Sequence, residues 1–206
     1  LGPFIDKGCL IDSKVIGVQN SIDQFFYEDN GKKYMFWGSF RGIYATELTD
    51  NGLEIKKKTD GTPVLKKRIC GNRFEGTNIY KRGEYYYLFA SIGTCCNGAT
   101  STYQTVVGRS KNVLGPYLDK TGRDMLYDYC EIIMSGNETW AGPGHNSILI
   151  QDDVGTDWII YHGYKKKEAE NGRYVLMDKL IWSNDGWPSV KSNAPSILEV
   201  APYFQK

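Results

Sequence analysis

Three stretches of the chain repeat one strand–turn–strand unit. Residues 21–40 read SIDQFFYEDNGKKYMFWGSF, residues 74–91 read FEGTNIYKRGEYYYLFAS, and residues 144–164 read GHNSILIQDDVGTDWIIYHGY. The second strand of each unit is rich in aromatic residues and alternates in polarity, which is typical of a sheet packed on its faces. Each turn contains a glycine, which permits the positive φ of a tight hairpin: Gly31, Gly83 and Gly155.

A third strand is predicted after each hairpin, at residues 42–49, 104–111 and 173–182. Units of about 50 to 70 residues with three or four antiparallel strands are typical of β-propeller blades. A β-sandwich also contains many short strands, but it does not need the same hairpin repeated with the same flanks. The repeat therefore predicts an all-β fold of the propeller type.

A second internal match bears on how much of the propeller is present. LGPFIDK at residues 1–7 is similar to LGPYLDK at residues 114–120, which closes the outer part of the second unit. By analogy, the first copy closes a unit whose inner strands lie upstream, unless the motif is only a recurring turn. We therefore expect residues 1–206 to form a single propeller domain that is incomplete at its N-terminus, with roughly four blades present.

Composition excludes several classes of partner. Lys and Arg together number 25 and Asp and Glu together number 24, so the net charge is close to zero. The sequence also has no basic stripe that would indicate a nucleic-acid partner. No apolar run predicts a membrane span, and we expect a monomer. The five cysteines have irregular spacing and no CxxC pair, so we predict neither a disulfide framework nor a zinc site. Free buried thiols are favoured over disulfides.

The repeat aligns three polar residues. Asp23 and Glu75 both lie eight positions before the turn glycine of their unit, and His145 lies ten positions before the turn glycine of the third unit. The first strand of each propeller blade lines the central channel, so equivalent positions of different blades converge around the axis. We therefore expect Asp23, Glu75 and His145 to face one another at one mouth of the channel.

Two carboxyl groups beside one cleft are the groups that cleavage of a glycosidic bond requires. One delivers a proton to the leaving oxygen, and the other acts as base or nucleophile. Taken singly, Asp23 would be a turn or cap residue, Glu75 a solvated loop residue and His145 a structural histidine. Their matched placement favours the catalytic interpretation. His162, within a second strand, is predicted to be a packing or supporting residue.

At these residues the chain resembles glycoside hydrolase family 43, particularly its endo-arabinanase-like branch. The resemblance covers essentially the whole chain and rests on the following segments: NSIDQFFYEDNGKKYMFWGSF, RFEGTNIYKRGEYYYLFAS, CCNGATSTYQTVVGRSKNVLGPYLDK, GPGHNSIL, DWIIYHGY and DGWPSV. It implies a five-bladed β-propeller. It also implies inverting hydrolysis of α-L-arabinofuranosyl or β-D-xylosyl linkages in a plant polysaccharide or oligosaccharide, by a secreted or periplasmic protein.

The resemblance also implies roles for individual residues. Glu75 in FEG matches the general acid, and Asp23 in NSID matches an auxiliary carboxylate that orients the acid and keeps it protonated. His145 in PGHN matches a histidine near the channel axis that supports a metal, commonly calcium, largely through water. Two stretches match the lining of the sugar-binding subsite: Asn20, Ser21 and Ile22, and Gly38, Ser39 and Phe40.

One role that the resemblance implies has no candidate here. The general base of the family is an Asp on the first strand of the first blade, which the LGPF match places upstream. We therefore expect two of the three catalytic carboxylates in this chain. The alternatives to an endo-acting arabinanase are an exo-acting β-xylosidase or α-L-arabinofuranosidase, and a non-catalytic carbohydrate-binding propeller. The following aromatic residues are candidates for sugar stacking, although blade packing explains each one more simply: Trp37, Phe40, Tyr103 and Trp140.

Overall fold

The computed structural model describes residues 2–205, and most of their regular structure is short antiparallel strand. One short α-helix, α1 (Ser13–Ile16), lies near the N-terminus. None of the helical segments in the described range has the length and hydrophobicity of a membrane span. The remaining helical segments are single 3₁₀ turns or short 3₁₀ runs: Gly98–Thr100, Met125–Tyr127, Lys166–Asn171 and Lys191–Asn193.

The first sheet contains the first predicted hairpin. Its strands follow chain order and are β1 (Phe25–Asp29), β2 (Lys32–Trp37), β3 (Ile43–Glu47) and β4 (Lys67–Cys70). Asp29 pairs with Lys32, so the turn has two residues. Both of them, Asn30 and Gly31, have positive φ, as a type I′ turn requires. The predicted hairpin and its third strand are confirmed.

The second sheet repeats this order. Its strands are β5 (Glu75–Arg82), β6 (Tyr85–Ile92), β7 (Gln104–Ser110) and β8 (Glu131–Met134). Gly83 has a φ of 58° in the two-residue turn between β5 and β6. The β6–β7 connection, residues 93–103, leaves the sheet at the end where Glu75 lies, because Glu75 pairs with Ser91 near the end of β6.

The third sheet differs in its innermost strand. Both β9 (Trp140–Gly144) and β10 (Ile150–Gln151) pair with the same edge of β11 (Asp157–Lys165), and β12 (Arg173–Lys179) follows on the other edge. The inner strand is therefore interrupted at residues 145–149. A small two-stranded sheet follows, formed by β13 (Ile181–Trp182) and β14 (Pro188–Ser189). The described residues thus form three four-stranded sheets and this small fourth one.

The second sheet is buried on both faces. Consecutive residues of β6 pack on opposite faces of the sheet, in different apolar clusters. Leu88 packs in the cluster shared with the first sheet, and Phe89 packs in the cluster shared with the third. This arrangement accounts for the aromatic-rich second strand of the repeat, since a strand between two neighbouring blades has no solvent face. Trp37, at 1% exposed, packs in a third, smaller cluster against α1.

Two details concern other sequence expectations. The adjacent Cys95 and Cys96 are disulfide-bonded, so the prediction of free thiols is wrong for this pair, although Cys70 is free and buried. In the LGPF and LGPY segments, Gly2 and Gly115 have similar φ values of 63° and 77°. Leu1, the first residue of the earlier copy, lies outside the described residues.

Candidate active site

Asp23, Glu75 and His145 meet at one place, as the repeat predicts. One potential ligand atom from each side chain lies within 4.8 Å of the others. Asp23 lies just before β1, Glu75 begins β5 and His145 follows β9, so each of the three sheets supplies one of these residues. Residues on or beside the inner strands of the three sheets do converge here.

The backbone around this cluster adopts conformations that non-glycine residues rarely populate. Eight non-glycine residues in the described part of the chain have positive φ, and four of them lie here, with φ between 50° and 57°: Asn20, Asp23, Phe40 and His145. Each such conformation costs about 1–3 kcal/mol and persists only where the surroundings impose it. All four had been predicted from the sequence as site residues.

A β-bulge at the start of β5 sets the direction of the Glu75 side chain. The pairing of β5 with β6 shifts between Glu75 and Asn78, which places one extra residue in β5. Gly76, within this bulge, has a φ of 61°, and a Cβ there would lie 3.0 Å from the His145 ring. Glycine in the FEG motif therefore allows the histidine of the third sheet to approach the acid.

The Glu75 carboxyl group is buried and held at both oxygens. Ser39 Oγ donates a hydrogen bond to Oε2 at 2.7 Å, and the Tyr103 hydroxyl donates to Oε1. Ser39 is 2% exposed and Tyr103 is 0% exposed, so neither hydrogen bond competes with bulk water. The Glu75 side chain therefore has a defined orientation beside Asp23.

Asp23 is half-buried, and its Oδ2 atom has no hydrogen-bond partner among residues 2–205. Burial raises the pKa of the Asp23 carboxyl above its ordinary value; the neighbouring His145 opposes the shift and the Glu75 charge adds to it. A hydrogen bond from the Gly76 backbone N–H also opposes it.

The two stretches predicted to bind sugar lie together beside the acid. Asn20 Nδ2 donates to the Ser39 carbonyl at 2.8 Å, and the Gly38 N–H donates to the Ile22 carbonyl at 2.8 Å. Ile22 is 49% exposed and Phe40 is half-buried, so both offer surface to a ligand, whereas Ser39 is directed to Glu75. Sugar contacts by these stretches stay a prediction.

Two of the four stacking candidates are buried in packing positions. Trp37 Nε1 donates to Ser21 Oγ at 3.1 Å, which ties the first of the two stretches to β2. Tyr103 stacks on His162, with ring centroids 5.8 Å apart and an interplanar angle of 11°.

Burial lowers the pKa of His162 to about 4, with the charges of Arg173 and His145 adding to the shift. A neutral His162 in a supporting position agrees with its prediction.

The cluster offers a metal ion two carboxylates and one imidazole. Calcium takes six to eight oxygen ligands, and both Glu75 oxygens already accept hydrogen bonds, so direct coordination by all three side chains does not suit calcium. The exposed His145 and the unpartnered Asp23 Oδ2 do suit an ion held largely through water. The residues therefore fit calcium in the water-mediated form that the family resemblance implies.

Comparisons with known proteins identify a family and several relatives. The sequence model of the family described as "Glycosyl hydrolases family 43" matches residues 1–188. The extracellular exo-α-(1→5)-L-arabinofuranosidase ArbA of Cellvibrio japonicus (strain Ueda107) is 36% identical over 197 residues, which cover 90% of this chain and 56% of the relative. The extracellular endo-α-(1→5)-L-arabinanase 1 of Bacillus subtilis (strain 168) is 35% identical over 191 residues, covering 91% and 56%.

Solved structures show the same relationship. The α-L-arabinanase of Cellvibrio cellulosa, solved in complex with arabinohexaose, superposes with a TM-score of 0.69 at 34% sequence identity, covering 82% of this chain and 56% of that one. Such arabinanases are five-bladed β-propellers, which confirms the predicted fold class. This chain spans 56% of the length of the two curated relatives and contains a partial set of blades.

Proposed function

Because this chain belongs to glycosyl hydrolases family 43, we propose that the protein hydrolyses α-(1→5)-linked arabinan, with Glu75 as the general acid. The observation that carries the proposal is the meeting of the Glu75 and Asp23 carboxyl groups with His145 within 4.8 Å. The names of the relatives and the arabinohexaose complex of one of them support an arabinofuranosyl substrate.

The proposal gives the two carboxyl groups different roles. Glu75, held by Ser39 and Tyr103, protonates the leaving glycosidic oxygen. An acid and a base that invert a sugar stand about 6.5–9.5 Å apart, which leaves room for the attacking water. Asp23 lies closer to Glu75 than that, so it serves as the auxiliary carboxyl group that orients the acid. We assign the base to no residue of this chain.

Stereochemistry tests this division. The full-length protein, incubated with linear arabinan, is expected to release products whose new reducing ends are initially β, as proton NMR would show. Initial α products would indicate retention, for which carboxyl groups stand about 5–5.5 Å apart, and would make Asp23 the nucleophile. Absence of release together with retained arabinan binding would favour a non-catalytic carbohydrate-binding propeller.

Exo action is the second candidate, because one relative is named as an exo-acting enzyme and the other as an endo-acting one. Chromatography of early products from linear arabinan separates the two. A broad series of oligosaccharides would indicate endo action, whereas a single short product would indicate exo action. A protein that releases sugar only from xylan would contradict both arabinan assignments.

Calcium completes the proposed site. His145, with Asp23 and Glu75 through water, would hold it, and the ion would supply fixed positive charge beside the carboxyl groups. Removal of calcium with EGTA is expected to lower the melting temperature and the rate of arabinan hydrolysis, and added calcium is expected to restore both. The His145→Ala variant is expected to melt at the same temperature with and without EGTA. An unchanged melting temperature of the parent protein would contradict the metal.

The location proposed for the protein is outside the cytoplasm, either secreted or periplasmic. The two curated relatives are named as extracellular, and an enzyme that acts on polymeric arabinan encounters this substrate outside the cell. Immunodetection in culture supernatant and cell fractions would test this, and size-exclusion chromatography would test the proposed monomer.

A further inference from the structure

We propose that Tyr103 is a positioning residue for the general acid, holding the Glu75 carboxyl so that its proton sits on Oε2. This inference rests on the proposed function of Glu75. The Tyr103 hydroxyl donates to Oε1, while Ser39 Oγ lies 2.7 Å from Oε2. Because Oε1 accepts a hydrogen bond from the phenol, the carboxylic proton belongs on Oε2. There the Ser39 hydroxyl can rotate to accept a hydrogen bond from this proton, or the proton can be transferred to the substrate.

A carboxyl group needs such restraint because its terminal torsion is soft. The last torsion of a Glu side chain has a broad, roughly two-fold distribution, so an unrestrained carboxyl exchanges its two oxygens. With Ser39 on one oxygen and Tyr103 on the other, the exchange breaks a buried hydrogen bond. A proton aimed at one place raises the fraction of encounters in which the acid is correctly oriented.

The third sheet holds the Tyr103 ring in place. A Cβ on Gly144 would lie 2.4 Å from the ring, so only glycine at the end of β9 permits this approach. On another side the ring stacks on His162 of β11, with centroids 5.8 Å apart. The base of the loop that ends at Tyr103 is closed by the hydroxyls of Thr94 and Thr102, 2.9 Å apart. The phenol is therefore a rigid donor.

The Tyr103 hydrogen bond gains strength as Glu75 gives up its proton. A donor to a carboxylate is stronger than a donor to a neutral carboxyl group, so Tyr103 stabilises the state in which proton transfer has occurred. Substrates whose leaving group departs without protonation do not use this step. The contribution of Tyr103 should consequently depend on the leaving group, which a purely structural contribution would not.

Tyr103→Phe retains the ring and removes the donor. In the full-length protein we expect it to lower kcat on arabinan about 10- to 100-fold, as for a lost hydrogen bond to a charged group. On a dinitrophenyl arabinoside we expect less than about a threefold change, because that leaving group needs no proton. Tyr161→Phe is the matched control: its buried hydroxyl donates to the Asp178 carboxylate in the third sheet, and its loss should leave both rates unchanged.

The outcomes separate this inference from the proposed function. Equal losses on both substrates, or no loss on arabinan, would overturn the positioning role of Tyr103. A Glu75→Gln variant with full activity would overturn the function of Glu75 instead. A crystal structure of Tyr103→Phe supplies a test without turnover: we expect the Glu75 carboxyl to rotate out of the orientation in which Oε2 accepts from Ser39, and an unmoved carboxyl would contradict the inference.

Discussion

Glu75→Gln is expected to lower kcat for arabinan hydrolysis about 10²–10⁴-fold, which is the contribution of a positioned general acid. Glutamine has nearly the same shape and still presents an oxygen acceptor to Ser39 or Tyr103, so the fold should persist while the proton is lost. Release of reducing ends from linear arabinan by the full-length protein measures the change. Thermal melting of the same samples confirms that the variant is folded.

Two further measurements sharpen the Glu75 prediction. Glu84→Gln is the control, because the Glu84 side chain is 79% exposed at the β5–β6 turn, and it should retain full activity. On a dinitrophenyl arabinoside, Glu75→Gln should recover most of the lost rate, since protonation of that leaving group is unnecessary. Equal activity of the parent and Glu75→Gln on arabinan would show that the acid assignment is wrong.

Asp157→Ala is expected to lower the free energy of unfolding by about 3 kcal/mol, because it leaves several donors without their acceptor. Asp157 is buried; its Oδ1 accepts from Tyr80 at 2.8 Å and from Gln151 at 3.0 Å, and its Oδ2 accepts from Trp182 at 2.7 Å. Burial and the hydrogen bond to Asp157 raise the pKa of Tyr80 to about 12, and the Tyr80 hydroxyl is therefore protonated and acts as a donor at neutral pH. One carboxylate thus joins β5, β10 and β13.

Urea denaturation of the Asp157 variants measures this contribution. Asp157→Asn retains one acceptor oxygen and should fall between the parent and Asp157→Ala. Asp50→Ala, at an exposed position, is the control and should change the unfolding free energy by less than about 0.5 kcal/mol. If Asp157→Ala and Asp50→Ala were equally stable, the carboxylate would not be the junction between the sheets.

The sequence predicted the hairpins and the meeting of Asp23, Glu75 and His145 because both depend on a repeated pattern. Turn glycines and alternating strands are local signals, and a residue at a constant distance from the turn occupies the same place in each sheet. The interruption after β9 was not predicted, since a broken inner strand leaves the following hairpin signal intact. The bond between Cys95 and Cys96 was also missed, because odd cysteine counts and adjacency carry no pairing rule.

The sequence by itself determined the repeated blade. It also determined which residues the repetition brings together at one mouth of the propeller channel. Only the tertiary structure decided how the acid is held and which neighbouring group has the raised pKa. Tyr103 lies 28 residues and Ser39 lies 36 residues from Glu75 in the sequence. Both lie on loops between strands, at positions that the repeat does not relate to Glu75. Contacts of that kind depend on how blades pack, and burial raises the pKa of Asp23 only after that packing has excluded water.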